Sequence, residues 1–375
     1  MFYILRNTFS PNGASSNRAL AYYRAMDAMG VEGTIVIFSP DAHCSKIGDN
    51  YKHLRVVYCW NKTSVSNKLF RRLYSYLRMF KFLNSLNNGD KVYVYGSLPC
   101  LHKLVTKEGV DTFLEVTEHP SIYPLKTRFF WNTSKKAFDD CKKLKALFVI
   151  STKLKEFYTR AGVKAGNIHI INMFVDTNRF KGVVREPEKR YVCYCGNGNN
   201  RKDKVDELII SFKKVLISFP DINLLIVGPK KQFFKGENDN VELVKELGID
   251  KRVFFTGVVP ASEIPEILVN AEVLVLKRPN TLQNQAGFPT KLGEYLASGN
   301  PVLCSSVGDI PLFLKDMESA LLFNPDDEEA FVKKLLWLLE HPAEGRIIGI
   351  KGQQVAEEFF NAESETNKLM NIILG

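Results

Sequence analysis

Short apolar segments alternate with helical patterns along nearly the whole chain, and this alternation restricts its fold more than any other feature. Strand-like segments include residues 2–6, 91–95, 191–195 and 223–228, each followed by a loop and a helix-like run. Strands that alternate with helices are typical of parallel sheets, so each half is predicted to be a doubly wound α/β domain. In such sheets, ligands bind beyond the carboxyl ends of the strands.

The 375 residues are more than one hydrophobic core usually serves, which predicts two domains. A polar stretch at residues 185–190 marks the expected boundary. We therefore expect an N-terminal domain at 1–186 and a C-terminal domain at 187–350, with a cleft between them. The helical pattern at 351–375 is expected to pack back towards the N-terminal domain.

Charge is unevenly distributed along the chain. Residues 1–186 contain 29 Lys and Arg against 14 Asp and Glu, whereas residues 187–375 contain 22 against 27. A basic half beside a mildly acidic half indicates that one domain faces something anionic. Membrane lipid, nucleic acid and a phosphorylated acceptor are the candidates. Without a recognised nucleic-acid-binding motif among the basic residues, nucleic acid is not expected as a partner.

The segment 67–86, NKLFRRLYSYLRMFKFLNSL, predicts an amphipathic helix within the basic half. A basic, aromatic-rich helix of this kind can lie in a membrane interface. The alternative is a core helix with a solvated basic face. The apolar residues at helical spacing are Leu69, Phe70, Leu73, Leu77 and Phe80, and the basic residues among them are Lys68, Arg71, Arg72, Arg78 and Lys81. A later group of lysines adds to the basic surface: Lys135, Lys136, Lys142, Lys143 and Lys145.

The seven cysteines form no disulfide framework, and no His or Cys spacing is typical of a metal site. Cys193 and Cys195 are expected on opposite sides of a strand as small apolar residues. No run of about 18 apolar residues predicts a transmembrane helix. The apolar run at the N-terminus is too short for the hydrophobic region of a signal peptide. We therefore expect a cytoplasmic protein that is peripheral on the inner face of the membrane.

Three loops lie between a strand and a helix, where backbone amides can bind an anion. The first, at 10–16, contains Gly13, and the second, at 196–204, contains several basic residues. The third leads into a helix at Thr290, with Lys291 and Glu294 in its first turns. A helix N-terminus favours phosphate and a nearby carboxylate can bind a sugar diol. Each loop is equally consistent with an ordinary turn or a solvated face.

Residues 287–302, GFPTKLGEYLASGNPV, resemble the donor-binding segment of retaining glycosyltransferase family 4. Weaker similarities lie at the 10–16 loop, at 117–120, at 196–208, at 255–257 and at 305–311. The resemblance implies a GT-B fold, in which two Rossmann-like doubly wound parallel-sheet domains enclose a cleft. It also implies that a nucleotide sugar is held mainly by the C-terminal domain, with no metal and no cofactor beyond this donor.

The resemblance also implies roles for individual residues. Glu294 matches the second glutamate of the family's Glu-x7-Glu pattern, which holds the donor ribose. Arg201 and Lys202 match the pair that binds the diphosphate, although a one-residue offset makes Lys204 a competitor of Lys202. The implied catalytic residues are Glu118, His119, Arg201 and Lys202, and the implied donor-binding residues are Gly13, Asn197, Lys204, Gln285, Gly287, Phe288, Pro289, Thr290, Lys291 and Glu294.

The chain departs from the family pattern at Ala286, where the first glutamate would contact the donor sugar. Gln283 or Gln285 could substitute for it. The hypothesis that follows is a donor carrying an amino or deoxy sugar.

The resemblance predicts a retaining, metal-independent glycosyltransferase that serves cell-surface polysaccharide assembly. Its partners would be a nucleotide sugar, a glycan or lipid-diphosphate-linked acceptor, and an anionic membrane surface. The alternatives are a nucleotide-sugar epimerase of the same fold and a non-catalytic nucleotide-sugar-binding module.

Overall fold

The chain forms two compact units in the computed structural model, which describes residues 1–6, 9, 14–38, 47, 50–59, 68–96, 101–120, 135–186, 190–198, 200–229 and 239–375. One unit comprises Met1–Asn172 with Ala362–Gly375, and the other comprises Met173–Asn361. This division precedes the boundary expected at 186, because the intervening residues bond within the second unit. Val175 donates its amide to the Phe360 carbonyl, and Arg179 bonds Glu294.

The first unit is built on a parallel sheet of seven strands in the order β3-β2-β1-β4-β5-β6-β7. The order reverses beside β1, which pairs with β2 on one side and β4 on the other. Buried apolar side chains fill both faces of the central strands, as expected for a sheet covered by helices. The strands are β1 (Phe2–Arg6), β2 (Gly33–Ile37), β3 (Leu54–Tyr58), β4 (Lys91–Tyr95), β5 (Asp111–Val116), β6 (Ala146–Val149) and β7 (Ile168–Ile170).

The second unit repeats this plan with six parallel strands in the order β10-β9-β8-β11-β12-β13. Here the order reverses between β8 and β11, which are hydrogen-bonded neighbours. This is the topological switch point at which α/β sheets bind ligands. The strands are β8 (Tyr191–Cys195), β9 (Asn223–Val227), β10 (Val253–Gly257), β11 (Val273–Leu276), β12 (Val302–Ser305) and β13 (Leu321–Phe323).

Helices connect the strands of both sheets, with polar residues at several of their N-termini. The Ser151 hydroxyl accepts from the Leu154 amide at 3.2 Å, and Asp327 accepts from Ala330 at 2.9 Å. The helices are α1 (Ala14–Ala28), α2 (Lys68–Ser85), α3 (Leu101–Val105), α4 (Lys135–Cys141), α5 (Thr152–Arg160), α6 (Asn200–Asp203), α7 (Val205–Val215), α8 (Asn240–Glu246), α9 (Ile264–Asn270), α10 (Leu282–Ala286), α11 (Thr290–Ala297), α12 (Ile310–Phe313), α13 (Glu328–Glu340), α14 (Pro342–Phe359) and α15 (Ala362–Leu374).

In the ranges that the structure describes, no helix has the length and apolar character needed to cross a membrane. Two short 3-10 helices, Ala165–Asn167 and Thr177–Phe180, complete the described regular structure.

The last helix, α15, belongs to the first unit and packs against α1. Its fully buried Glu365 accepts the Asn172 amide at 2.8 Å, and Lys91 donates to the Ile373 carbonyl at 2.8 Å. The helical run expected at 351–374 is therefore two helices. The helix α14 ends at Phe359 and α15 begins at Ala362. The first of these helices belongs to the second unit, and the second belongs to the first unit.

A buried ionic cluster connects α1 to the first sheet. Glu115 on β5 lies 3.0 Å from the Arg18 guanidinium, with both side chains at most 3% exposed. The hydroxyls of Tyr22 and Tyr93 also donate to Glu115. Arg18 in turn donates to the Asn172 carbonyl at 2.9 Å. Each charge is thus hydrogen-bonded, which offsets the cost of removing it from water.

We predict that Glu115→Ala strongly destabilises the protein, because Arg18 would remain buried without its carboxylate. The expected loss is about 3–5 kcal/mol in the free energy of unfolding, measured by urea titration followed by circular dichroism. Glu156→Ala is the control, since Glu156 forms an exposed 3.3 Å pair with Arg160 and should change stability by less than about 1 kcal/mol. Equal losses in the two variants would contradict a structural role for the cluster.

Candidate functional site

The candidate site lies at the carboxyl end of β8, beside the switch point of the second sheet. The loop after β8 begins with Gly196, Asn197 and Gly198, and the helix α11 begins nearby at Thr290. The two segments are joined through Tyr295, whose hydroxyl accepts the Cys195 amide at 2.7 Å and donates to the Cys195 carbonyl at 3.1 Å. This pair of bonds fixes α11 against the end of β8.

Two glycines let the chain pass closely at this point. A Cβ atom at Gly196 would overlap the Lys291 ammonium and lie 2.6 Å from the Tyr194 hydroxyl. Gly228 follows β9 with a φ of +145° and lies against the Gly196 carbonyl, so a side chain there would overlap the backbone. The glycines of this edge therefore have a packing role, independently of any ligand.

A buried ion pair lies beneath the loop. Lys291 of α11 donates to the Asp203 carboxylate of α6 and, at 3.0 Å, to the Tyr194 hydroxyl. Tyr194 donates to the same carboxylate at 2.7 Å, and the Lys291 ammonium also lies 4.6 Å from its ring centre. The side chains of Lys291 and Asp203 are 17% and 5% exposed. Lys291, expected to bind the donor, thus already has a carboxylate partner in this structure.

Arg278 extends the network from the carboxyl end of β11. Its guanidinium Nε lies 3.7 Å from the Asp203 carboxylate, and its Nη2 donates to the Asn284 side-chain oxygen. Asn284 then donates to the carbonyls of Lys202 at 3.1 Å and Pro279 at 2.9 Å. One polar network therefore connects α6, α10, α11 and the ends of two strands.

The protonation of the pair follows from its surroundings. Burial alone would raise the pKa of Asp203, but Lys291 and Arg278 lower it below its ordinary value. Burial lowers the pKa of Lys291, while the Asp203 carboxylate opposes that fall. Asp203 is therefore charged at neutral pH, and it requires a cation beside it.

Glu294 lies one turn into α11, on the same face as Thr290. Its carboxylate is bonded to Arg179 at 2.6 Å, and the two side chains are 25% and 24% exposed. Burial, with a smaller contribution from the Glu294 carboxylate, raises the pKa of Cys195 to about 12. The ion pair with Arg179 thus fixes the orientation of the Glu294 carboxylate, which remains partly accessible to solvent.

The basic residues of the β8 loop have different surroundings. Arg201 is exposed and Lys202 is partly exposed on the short helix α6, and Asn197 is exposed. Lys204 has a left-handed backbone with φ of 47° and forms a 2.9 Å ion pair with Glu207, which raises its pKa. Which of Lys202 and Lys204 would contact a ligand stays a prediction.

The segment before α11 is largely packed. Ala286 is fully buried, and the Gly287 amide donates to the Gln283 carbonyl at 3.0 Å. Gln285 is partly exposed and donates to the Asn280 side chain at 2.8 Å. The Phe288 ring packs 5.7 Å from that of Phe313. Pro289 is the N-cap of α11, and its carbonyl accepts from the Leu292 amide at 3.0 Å.

The remaining predicted residues belong to the first unit. Glu118 and His119 follow β5, and His119 is buried with its ring 4.4 Å from that of Phe157. Burial lowers the pKa of His119, so its ring is neutral at pH 7. Gly13 lies outside the described residues. The described hydrogen bonds and ion pairs thus connect Lys291 with the Lys202 carbonyl through the network of the second unit, while Glu118 and His119 follow a strand of the first sheet.

Across the described part of the chain, no group of three or more His, Cys, Asp or Glu could hold a metal ion. Cys193 is buried on β8 and Cys195 is partly exposed, as free thiols.

Sequence reasoning missed Asp203, Arg278 and Arg179 as parts of this site. Arg278 had a usable signal, since it is the second of two charged residues that follow the apolar strand VLVL, and charged residues there mark a carboxyl edge. Arg179 had none, because it meets Glu294 across 115 residues of chain.

Residues 175–355 match the family described as glycosyl transferases group 1. A curated relative is the MMP alpha-(1->4)-mannosyltransferase of Mycolicibacterium hassiacum, 26% identical over 219 residues, which are 58% of this chain and 51% of that protein. The chain thus spans about half the length of this relative.

Solved structures match over nearly the full length. Sucrose-phosphate synthase from Thermosynechococcus elongatus superposes with a TM-score of 0.75 at 18% identity, covering 99% of this chain and 97% of that one. The Anabaena protein HepE in complex with UDP and glucose superposes with a TM-score of 0.72 at 15% identity, covering 99% of this chain and 98% of HepE. At these identities the likeness establishes the fold, and the predicted GT-B fold of two Rossmann-like domains is confirmed.

We predict that Asp203→Asn destabilises the protein at pH 7 by about 3 kcal/mol, because Lys291 and Arg278 lose their buried carboxylate. Since the folded-state pKa of Asp203 is below the ordinary 3.8, its contribution is present above about pH 4 and is lost as the pH falls through the folded value. The difference between variant and wild type should therefore shrink in acid, as measured by urea unfolding at pH 7 and near pH 3.

The control for this experiment is Asp221→Asn. Asp221 is 88% exposed in a 2.8 Å pair with Arg252, so the variant should stay within about 1 kcal/mol of the wild type. A pH-independent loss in Asp203→Asn would contradict the assignment of a charged Asp203.

Proposed function

We propose that the chain is a glycosyltransferase whose second unit binds a nucleotide-diphosphate sugar, because residues 175–355 match the family described as glycosyl transferases group 1. The observation that carries this proposal is the setting of Glu294. It is a partly exposed carboxylate in the first turns of α11, at the switch point of a Rossmann-like sheet.

Glu294 is suited to a ribose because it can accept two hydrogen bonds from neighbouring hydroxyls. Arg179 bonds one of its oxygens at 2.6 Å, which restricts the orientation of the carboxylate before the ligand arrives. A charged acceptor with a fixed direction binds a diol more strongly than a mobile one. Arg179 is accordingly proposed as a positioning residue.

The diphosphate would lie at the N-terminus of α11, where backbone amides and the helix dipole favour an anion. Arg201 and Lys202 lie on α6 after the same β8 loop, and we assign them to the diphosphate. Lys291 is held by Asp203 in this structure, so we assign it to the support of the loop and not to a first contact with phosphate.

The proposed reaction is transfer with retention and without a metal. The bond between the sugar anomeric carbon and the diphosphate oxygen breaks, and the acceptor hydroxyl forms its bond to the same face of that carbon. The acceptor proton passes to an oxygen of the leaving diphosphate. Positive charge from Arg201, Lys202 and the α11 N-terminus stabilises the leaving group as its charge develops.

The acceptor is proposed to be a glycan or a lipid-linked glycan in cell-surface polysaccharide assembly. Glu118 and His119 are assigned to the first unit's side of the reaction, near the transferred sugar. A neutral His119 can donate one hydrogen bond and accept another, which suits a sugar hydroxyl.

We predict that one of UDP, GDP, ADP, CMP and dTDP raises the thermal stability of the wild type and not of Glu294→Ala. At 100 times its dissociation constant a ligand stabilises by about 2.7 kcal/mol, measured by differential scanning fluorimetry. UDP is the first choice, because the similarly folded HepE was crystallised with it. The control is Glu318→Ala, which removes an exposed acid 3.8 Å from Lys315 and should keep the response.

A second readout separates the proposed activity from its alternatives. Transfer of sugar to an acceptor supports a transferase, and interconversion of the donor sugar supports an epimerase. Nucleotide binding with neither activity supports a binding module. Donors with amino or deoxy sugars are compared with the glucose donor, because Ala286 replaces the expected glutamate. Full-rate transfer of glucose would refute the amino- or deoxy-sugar hypothesis.

We further predict that Arg179→Ala weakens binding of the selected ribonucleotide about tenfold, since a hydrogen bond to a charged group contributes roughly 1.5–3 kcal/mol. Its dideoxy counterpart, which lacks the ribose diol, should bind both proteins equally. Isothermal titration calorimetry gives both dissociation constants. Arg179→Lys should recover part of the loss, and Arg252→Ala, at an exposed pair on the same unit, serves as the control. Equal weakening of both nucleotides would show that Arg179 acts on the fold and not through Glu294.

A further inference from the structure

Helix α2 of the first unit is apolar on two opposite faces. One face is buried and includes Met79 and Leu83; the polar Ser75 on this face donates to the Phe38 carbonyl. The opposite face is open: Phe70, Leu73, Leu77 and Phe80 are 63%, 56%, 59% and 41% exposed. A core helix with a solvated face would carry polar residues there. A solvated basic face alone therefore does not account for the four exposed apolar side chains.

The four exposed residues, which we call the α2 stripe, recur at i, i+3, i+7 and i+10. They form a continuous row along one side of the helix. Tyr74 and Tyr76 are 39% and 42% exposed beside it. A contiguous exposed row of large apolar side chains on one helix indicates a surface that contacts a membrane or another molecule.

Cations accompany these rings. The Arg78 guanidinium lies 5.0 Å from the Tyr74 ring centre and donates to its hydroxyl at 2.6 Å. Lys103 of α3 places its ammonium 4.8 Å from the Phe80 ring centre. The sequence of α2, KLFRRLYSYLRMFKFLNS, contains five basic residues and no acidic residue. A second copy of the same helix would meet it with like charge, which disfavours self-association through this surface.

We propose that the α2 stripe docks the first unit on an anionic lipid surface. Leucine and phenylalanine side chains would enter the boundary between headgroups and acyl chains, where tyrosine rings are also favoured. Arg78, Lys81 and Lys103 would contact anionic headgroups. This inference is independent of the proposed glycosyltransferase activity, since it rests on the first unit alone and its test needs no substrate.

The test is co-sedimentation of the full chain with vesicles of phosphatidylglycerol and phosphatidylcholine, compared with phosphatidylcholine alone. We expect binding to the anionic vesicles at low salt that high salt reverses. The double variant Arg78→Gln, Lys81→Gln should bind roughly 30-fold more weakly at low salt, at about 1 kcal/mol per charge. The double variant Leu73→Gln, Leu77→Gln should bind at least about tenfold more weakly.

Matched controls come from the second unit. Ile217→Gln removes an 84% exposed apolar side chain, and Lys315→Gln with Lys333→Gln removes two 77% exposed charges. These variants should bind as the wild type does. Because the substituted residues are exposed, the urea midpoints of all variants should match. No wild-type binding at low salt, or unchanged binding by the leucine variant, would overturn the proposal. It would also be overturned by a wild-type dimer in sedimentation velocity that Leu73→Gln, Leu77→Gln dissociates.

Discussion

The second unit depends on a buried ion pair that must be complete before the candidate site has its shape. Burying Asp203 and Lys291 costs more hydration energy than their attraction returns unless further hydrogen bonds are made. Tyr194 donates such a hydrogen bond to Asp203, and the Arg278 guanidinium adds a second cation 3.7 Å from the carboxylate. The two residues come from the ends of different strands. The pair thereby sets the position of the first turn of α11 relative to β8. Glu294, one turn further along, acquires its place from this arrangement.

Much of the fold follows from local sequence. The segments KVYVY and YVCYC are strands at the predicted residues, because β-branched and aromatic residues there are bounded by polar residues and glycine. The strands Leu54–Tyr58 and Leu321–Phe323 were not predicted, and the latter is too short to show a period. The division at residues 360–361 was also missed, since the helical pattern continues through it while the tertiary contacts change from one unit to the other.

The candidate site was predictable where its chemistry is contiguous in sequence. Residues 287–302 suggested Glu294 and the start of its helix, and the structure places both at the switch point. The partner Arg179 is set by tertiary structure, which no local pattern contains. The glycines of the β8 loop suggested phosphate, whereas Gly196 lies against Lys291 and against the backbone of Gly228, which follows β9. For α2 the spacing of apolar residues predicted a helix. It did not predict which of the two apolar faces would be buried against the sheet and which would be exposed.

The route of the chain has a consequence for biosynthesis. The second unit is inserted in the first, and its two ends meet where Val175 pairs with Asn361. During translation the inserted unit is therefore finished while the first still lacks α15, including the buried Glu365 that accepts the Asn172 amide. The first unit begins synthesis earliest and completes its core last. All seven strands of the first sheet have then been synthesised, but they must wait for this last helix while about half of the chain emerges, a period in which their uncovered apolar surface can aggregate.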